Sequence, residues 1–439
     1  MATLTFYGGV NEVGGNKILV KDKDTRILLD FGMPFSLRDQ YYSIPFLSPR
    51  NERDLLELGI LPHIKGVYKF DSGESMIDAV FLSHSHMDHS AYISFLKREI
   101  PVYCGETTAT ILKTYSKIHL PSLEFNFEGL KFKTFRTGDH IKVGNIEVEP
   151  IHVDHSVPGS YGFIVYTSSG TIVYTGDFRQ HGSKPELTED LINKSSEERP
   201  DIVICESTNM TSVEISSERE VMKKLNSIIQ RTSGLVMANF ASADIDRLRS
   251  FYESARRNNR KLVITLRQAY LLHELSKDPH LSVPKLDSEG LLMFRKEKKR
   301  YFQWEKEAMK MGKIVDSHEV SSRQNEMVLA CSFYDLNELR EIKPDAGSCY
   351  ILSSSEPFNE EMEIDFNRLI NWLEHYGLPQ FHVHVSGHIS PLHLRESLRL
   401  INPKKIFPIH GVHPKLFSVF MRDLKSRIVL PEKEKKYRI

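Results

Sequence analysis

The sequence predicts an α/β protein in which a strand-rich portion is interrupted by a long inserted stretch of alternating strands and helices. Three observations carry this expectation. The first two hundred residues hold short apolar runs broken by Gly, Asp and Ser. From Asp201 onward apolar runs alternate with helical stretches, the pattern of a doubly wound parallel sheet. A turn with three histidines and an aspartate follows directly on one of the apolar runs.

Taken in order, Lys17-Ile-Leu-Val, Arg26-Ile-Leu-Leu-Asp, Asp78-Ala-Val-Phe-Leu, Asn145-Ile-Glu-Val-Glu and Thr171-Ile-Val-Tyr read as strands, with a helix after Ser90. Beyond Asp201-Ile-Val-Ile-Cys, residues 214–231 and 243–257 read as helices, Gly234-Leu-Val-Met-Ala and Lys261-Leu-Val-Ile-Thr as strands, and a helix runs to about 276. Phe294 to Met311 is read as one charged helix with a solvated face. Phe366 to Tyr376 and Leu392 to Ile401 read as helices, and Gln380-Phe-His-Val-His-Val and Lys405-Ile-Phe-Pro-Ile as strands. The expected division is 1–205, 206–370 and 371–439, the first and last parts forming one domain and the middle part a second.

Composition narrows the classes. The 439 residues carry 58 basic and 58 acidic side chains, so bulk charge announces no polyanionic partner, although a local basic groove can serve inside a neutral chain. The four cysteines, Cys104, Cys205, Cys331 and Cys349, are scattered and suggest neither a disulfide framework nor a structural zinc site. The start lacks a basic region followed by an apolar stretch, and no apolar run approaches the roughly 20 residues of a membrane helix. The expectation is a cytoplasmic protein without a membrane partner.

The strongest signal is Phe81-Leu-Ser-His84-Ser-His86-Met-Asp88-His89. Imidazole nitrogens and a carboxylate oxygen suit zinc, with manganese tolerated. Side chains alternate along a strand, so His84 and His86 point the same way as it ends, and the turn can aim Asp88 and His89 at a second position. Two metals about 3.5–4 Å apart can clamp a phosphate or an ester. His155 and Asp177 each sit in a loop just after a strand; alone, either is an ordinary turn residue.

Together, Asp30 in Leu-Leu-Asp-Phe-Gly, His84-x-His86-x-Asp88-His89, His155 and Asp177 resemble the metallo-β-lactamase superfamily in order and spacing. The resemblance implies a four-layered αβ/βα sandwich with two zinc ions. His84, His86 and His155 would hold one, Asp88 and His89 the other, with Asp177 bridging and Asp30 orienting the cluster.

The next candidate ligand, His410, lies 410 − 177 = 233 residues beyond Asp177, which leaves room for an inserted domain. That insertion resembles the β-CASP group of nucleases, as do Cys205-Glu206-Ser-Thr-Asn, His384-Val-Ser-Gly-His388, Phe407-Pro-Ile-His410-Gly and Phe240-Ala-Ser-Ala-Asp-Ile-Asp-Arg247. By the resemblance His410 completes the second metal's ligands, and Asp88, Asp177, Glu206 and His388 serve catalysis. His388 is the proton donor to the departing oxygen and Glu206 its holder. His384, Ser386, Gly387 and His388 would receive the substrate phosphate.

A histidine at position 410 goes with the RNA-processing branch, so the expected partner is single-stranded RNA. Within that branch the chain resembles ribonuclease J and the endonuclease subunit of the cleavage and polyadenylation machinery. Ser353-Ser-Ser-Glu-Pro357 departs from the ribonuclease J pattern there, leaving 5′-end recognition open. Length and overall pattern favour a 5′→3′ exonuclease with possible endonuclease activity. A DNA nuclease of the β-CASP group and a small-molecule hydrolase of the superfamily are the alternatives, and a homodimer is compatible with the sequence. The basic stretches Arg247 to Lys261 and Arg295 to Lys313 interleave Phe251, Tyr252, Tyr301, Phe302 and Trp304. Most of these are read as amphipathic helices with solvated faces, the other reading being an RNA-binding flank.

Overall fold

The computed structural model describes residues 1–43, 46–119, 122–211, 216–355 and 360–439. The chain divides into two compact units, Met1–Ile215 with Gly387–Ile439, and Ser216–Ser386.

In the first unit, two seven-stranded sheets face each other. The strands Thr3–Gly8, Lys17–Asp22 and Thr25–Leu29 form an antiparallel meander, and Ala79–Leu82 then joins Thr25–Leu29 in parallel. The other sheet places Ile202–Glu206 between Gly170–Tyr174 and Lys405–Ile409, parallel to both. Alternation decides which side chains meet. Leu4, Phe6, Ile18, Val20, Ile27, Leu29 and Phe81 of one sheet pack on Ile146, Val148, Phe163, Val165, Ile172, Ile202, Ile204 and Phe407 of the other. The residues between them along each strand face outward and are covered in turn. Leu28, Val80, Leu82 and Val102 lie against Leu55, Ala109 and Leu112, and Ile164, Val173 and Val203 against Leu191, Leu394, Leu398 and Phe417. The result is a four-layered αβ/βα sandwich.

The second unit is built on one parallel sheet in the spatial order Ile314–Val315, Leu291–Phe294, Lys261–Thr265, Met327–Ala330, Val236–Asn239, Cys349–Leu352 and Gln380–His382. Its central strands are buried along nearly their whole length, as a parallel sheet covered on both faces requires. The helix Glu218–Arg231 buries Val221, Leu225 and Ile229, a stripe at four-residue spacing.

Several expectations change. The segment Phe294 to Met311 is not one helix: Leu291–Phe294 is a strand, 295–302 is a loop, and only Gln303–Ala308 is helical. No apolar stripe runs through Arg295 to Arg300 to hold a helix against the sheet. After Ser90 the chain forms the short 3₁₀ helix Ala91–Phe95, whose second residue, Tyr92, donates its N–H to the Phe31 carbonyl. The strand expected over 380–385 pairs only at Gln380–His382. Residues 206–211 stay with the first unit, and 371–386 lie in the second, where Leu373 and Leu378 enter its core. Residues 214 and 215 of the expected helix, and Glu356 and Pro357, lie outside the described residues. The four cysteines are buried and free. Phe251 and Tyr252 are core residues and face no solvent.

Candidate metal centre

Each candidate ligand sits where a strand ends. Ala79–Leu82 delivers His84 and His86, and its continuation turns into the short helix Met87–Ser90 that carries Asp88 and His89. Ile146–His152 precedes His155, Gly170–Tyr174 precedes Asp177, Ile202–Glu206 ends in Glu206, and Lys405–Ile409 precedes His410. Strands of the two facing sheets that stop at the same end of the sandwich bring residues more than three hundred positions apart to one point.

The side chains converge. His84 Nε2 and His155 Nε2 lie 3.0 and 3.2 Å from His86 Nδ1, and Asp177 Oδ2 lies 3.8 Å from His84 Nε2 and 3.9 Å from His155 Nε2. On the other side, His410 Nε2 is 3.1 Å from Asp88 Oδ2 and 3.6 Å from Asp177 Oδ2, and His89 Nε2 is 3.2 Å from Asp177 Oδ2. One carboxylate, Asp177, therefore stands between the two sets His84, His86, His155 and Asp88, His89, His410, each of which has its donor atoms close enough for one ion.

The outer ring nitrogens are held by oxygens. His84 Nδ1 donates to Ser83 Oγ (3.0 Å), His89 Nδ1 to Asp30 Oδ2 (2.7 Å), His155 Nδ1 to the Gly387 carbonyl (2.6 Å) and His410 Nδ1 to Thr208 Oγ1 (2.9 Å). The hydroxyls of Ser83 and Thr208 donate onward, to Asp30 Oδ2 and the His410 carbonyl, so both accept from the imidazoles. Each of these four rings consequently presents an Nε2 lone pair inward, the arrangement by which surrounding oxygens orient metal-binding histidines. Buried His89 Nε2 and Asp177 Oδ1 have no hydrogen-bond partner among the described residues. A cation between the two sets satisfies these atoms, and the donor set of nitrogen and carboxylate oxygen fits a divalent metal.

Electrostatics separate the two sets. Burial opposes a charge on His89, but Asp177, Asp30 and Asp88 outweigh it and hold that ring well above the ordinary histidine range, so an ion bound there would displace its proton. Burial and the neighbouring imidazoles push His84 and His155 well below the ordinary histidine range, and burial takes His86 to about 4, so these rings are neutral. Burial alone would raise Asp88 and Asp177, yet the surrounding imidazoles hold both carboxyls low and ionised. Burial also opposes the charge on His388, but Glu206 and Asp177 outweigh it and raise the group to about 9. His388 Nδ1 lies 3.0 Å from Glu206 Oε2 and 3.6 Å from Asp177 Oδ2.

Two of the expected phosphate contacts lie in the second unit and two in the first. His384 and Ser386 belong to the second unit, where Arg247 Nη1 donates to His384 Nδ1 at 3.3 Å, and burial with that guanidinium lowers His384 to about 3. Gly387 backs His155, and a Cβ there would stand 3.0 Å from the ring's Cε1 and 2.8 Å from Ser156 Oγ. Sequence reasoning missed Ser83, Thr208, Asn16 and Tyr174. Tyr174 donates to Asp30 Oδ2 at 2.6 Å and receives the Asn16 amide at 3.2 Å. Ser83 and Thr208 flank singled-out motifs, whereas nothing near Asn16 or Tyr174 marks them in one dimension.

A family model described as a beta-lactamase superfamily domain matches residues 69–222. The chain is 25% identical to ribonuclease J 2 of Streptococcus pyogenes, the match covering 97% of this chain and 71% of that protein. It is 26% identical to ribonuclease J of Sinorhizobium meliloti over 76% of this chain, and 25% identical to that of Helicobacter pylori J99 over 93%. The match spans 58% and 55% of those two relatives. A crystal structure of a protein of unknown function from Enterococcus faecalis V583 superposes with a TM-score of 0.79 at 22% identity, covering 99% of both chains, and supports the fold. Fold and site define a metal-dependent hydrolase of the metallo-β-lactamase type. Among proteins of that type the chain is similar to those named ribonuclease J.

Proposed function

We propose that the chain hydrolyses phosphodiester bonds of single-stranded RNA with two zinc ions, manganese substituting, and that it works as a 5′→3′ exonuclease. The observation that carries this reading is the pair His388 and Glu206 beside the two ligand sets, with Nδ1 and Oε2 3.0 Å apart. A hydrolase that cleaves a thioester expels a thiolate, which leaves without a proton. A ribose 3′-oxygen is a poor leaving group and needs a proton. The similarity to proteins named ribonuclease J supports RNA as the polymer.

In this reading His84, His86 and His155 would hold one ion and Asp88, His89 and His410 the other, with the Asp177 carboxylate within reach of both sets. Bound zinc supplies Lewis-acid polarisation of the phosphoryl oxygens and an activated water. His388, held beside Glu206 with Nδ1 and Oε2 3.0 Å apart, donates its proton to the departing oxygen. Glu206 fixes the ring, and its Oε1 accepts from the Phe178 N–H at 3.0 Å, which ties it to the Asp177 loop. Ser386, Gly387 and His384 are proposed phosphate contacts, reached by the segment that leads into His388. The cytoplasm is the proposed compartment, and a homodimer the alternative to a single chain.

The test compares initial rates on 5′-labelled and 3′-labelled single-stranded RNA, single-stranded DNA and both duplexes at one salt concentration. Release of mononucleotides from single-stranded RNA in 5′→3′ order is expected. Equal or faster hydrolysis of DNA moves the protein to the DNA branch.

A further inference from the structure

In a parallel sheet the loops after the strands gather at one edge, and ligands of doubly wound folds bind there. At that edge of the second unit, three neighbouring strands, Leu291–Phe294, Lys261–Thr265 and Met327–Ala330, open into cationic or aromatic residues. The loop after Phe294 reads Arg295-Lys296-Glu297-Lys298-Lys299-Arg300, five cations and one carboxylate. Three of these cations fasten the loop. Arg295 Nη2 is 3.0 Å from Asp316 Oδ2, Lys298 pairs with Glu305, and Lys296 pairs with Asp335 while donating to the Tyr334 carbonyl at 3.0 Å. The last contact ties this loop to the one that follows Met327–Ala330. The Tyr301 hydroxyl closes the loop on itself by donating to the Lys296 carbonyl at 2.7 Å.

The remaining cations are left to solvent. Lys299 and Arg300, and Arg267 in the first turn of the helix Leu266–Leu275 between the two loops, are exposed and make no ion pair among the described residues. Their one exposed acidic neighbour in the loop is Glu297. Two aromatic rings stand out with them, Tyr334 at 80% and Phe302 at 52% exposure. A single exposed ring is ordinary on a protein surface; two beside unpaired cations are a combination suited to a ligand, and the Tyr334 ring is propped edge-on against Phe333 with centroids 5.7 Å apart. Unpaired cations for phosphates beside bare rings for bases are the two components of a single-strand nucleic acid surface.

We propose that this edge of the second unit is an accessory contact surface for single-stranded RNA, built from residues other than the metal-centre ligands, with Arg267, Lys299 and Arg300 on phosphates and Tyr334 and Phe302 stacked on bases. The proposal rests on RNA as the substrate and adds a second place where the polymer is held. It accounts for how a chain of balanced charge keeps hold of a polyanion, since the excess is local and fixed in position by buried-end ion pairs.

The experiment uses the full chain and the triple variant Lys299→Ala, Arg300→Ala, Tyr334→Ala, whose substituted side chains are all exposed. Binding of fluorescein-labelled 5-nucleotide and 30-nucleotide oligoadenylate is measured by anisotropy in a His388→Ala background, at several salt concentrations. The dissociation constant for the 30-mer should rise at least ~10-fold, the equivalent of one lost stacked base. The salt slope should fall by about 1.4, from two phosphates at about 0.7 each for single strands. The 5-mer should bind as before, and bis(4-nitrophenyl) phosphate hydrolysis in the otherwise native background should be unchanged. Unchanged 30-mer affinity and slope overturn the surface while leaving the RNA reading standing, as does a loss that extends to the dye ester. A native chain that binds neither RNA overturns the reading of the substrate, and this surface with it.

Discussion

His89 Nδ1 and Asp30 Oδ2 lie 2.7 Å apart, both side chains fully buried. The same carboxylate accepts from the Ser83 N–H at 2.7 Å, the Ser83 hydroxyl at 2.8 Å and the Tyr174 hydroxyl at 2.6 Å. Asp30 itself sits in the left-handed backbone region at φ +56°, and its N–H donates to the Phe81 carbonyl. A strained residue held by that many bonds is a preorganising device, since the surroundings and not the local chain dictate its conformation. Through Ser83 and His89 it fixes one ring from each ligand set.

Asp30→Asn should therefore weaken metal binding without removing any ligand. Asparagine tolerates the left-handed backbone, so the fold survives, but the charge that orients His89 is lost. Chelator competition should show affinity reduced about 10–100-fold, the usual effect of changing a partner of a metal-binding histidine. Unaltered affinity means the His89 ring is oriented without Asp30.

Metal content is the simplest check on the two ligand sets. Protein purified without chelator should carry close to two divalent ions per chain by elemental analysis. His86→Ala should lose metal and activity together, since three ring nitrogens meet within 3.2 Å at His86 Nδ1. Full activity in metal-free protein would end the metal-dependent reading.

His388 and His410 are chemically identical and are assigned different work, so their variants should behave differently. His388→Ala is expected to keep both ions and slow turnover roughly 10²–10⁴-fold, the scale of a lost general acid. His410→Ala, whose ring faces Asp88 at 3.1 Å, should weaken the second ion. If His388→Ala strips metal while His410→Ala retains it, the two roles are exchanged.

Gly32 tests the backbone around the second set. A Cβ built there would stand 1.6 Å from the Asp88 carbonyl oxygen, a contact between main-chain atoms that no rotamer relieves. Gly32→Ala should displace the Asp88–His89 turn, lower the thermal midpoint and reduce metal content towards one ion per chain. Retention of two ions with native affinity would show that the turn moves without disturbing its ligands.

The sequence by itself pointed to a cluster of metal-binding side chains and to the parallel sheet of the inserted stretch, while the αβ/βα class came from the resemblance of its motifs to a known superfamily. Ligand type, alternation and apolar run length are local properties, and local properties survive in one dimension. His84 to His89 could be read so because a single strand end and one turn carry all four side chains. The tertiary structure decided what depends on separate strands stopping at one edge. It set Asp177 between the two ligand sets, gave Ser83, Thr208 and the Gly387 carbonyl the task of turning imidazoles inward, and enlisted Tyr174, which is 144 positions from its acceptor Asp30. It also broke the helix expected over Phe294 to Met311, because charged residues without an apolar stripe have nothing to bury against the sheet. Such pairings follow from sheet order and register, which the burial of whole faces selects and which no short window of sequence contains.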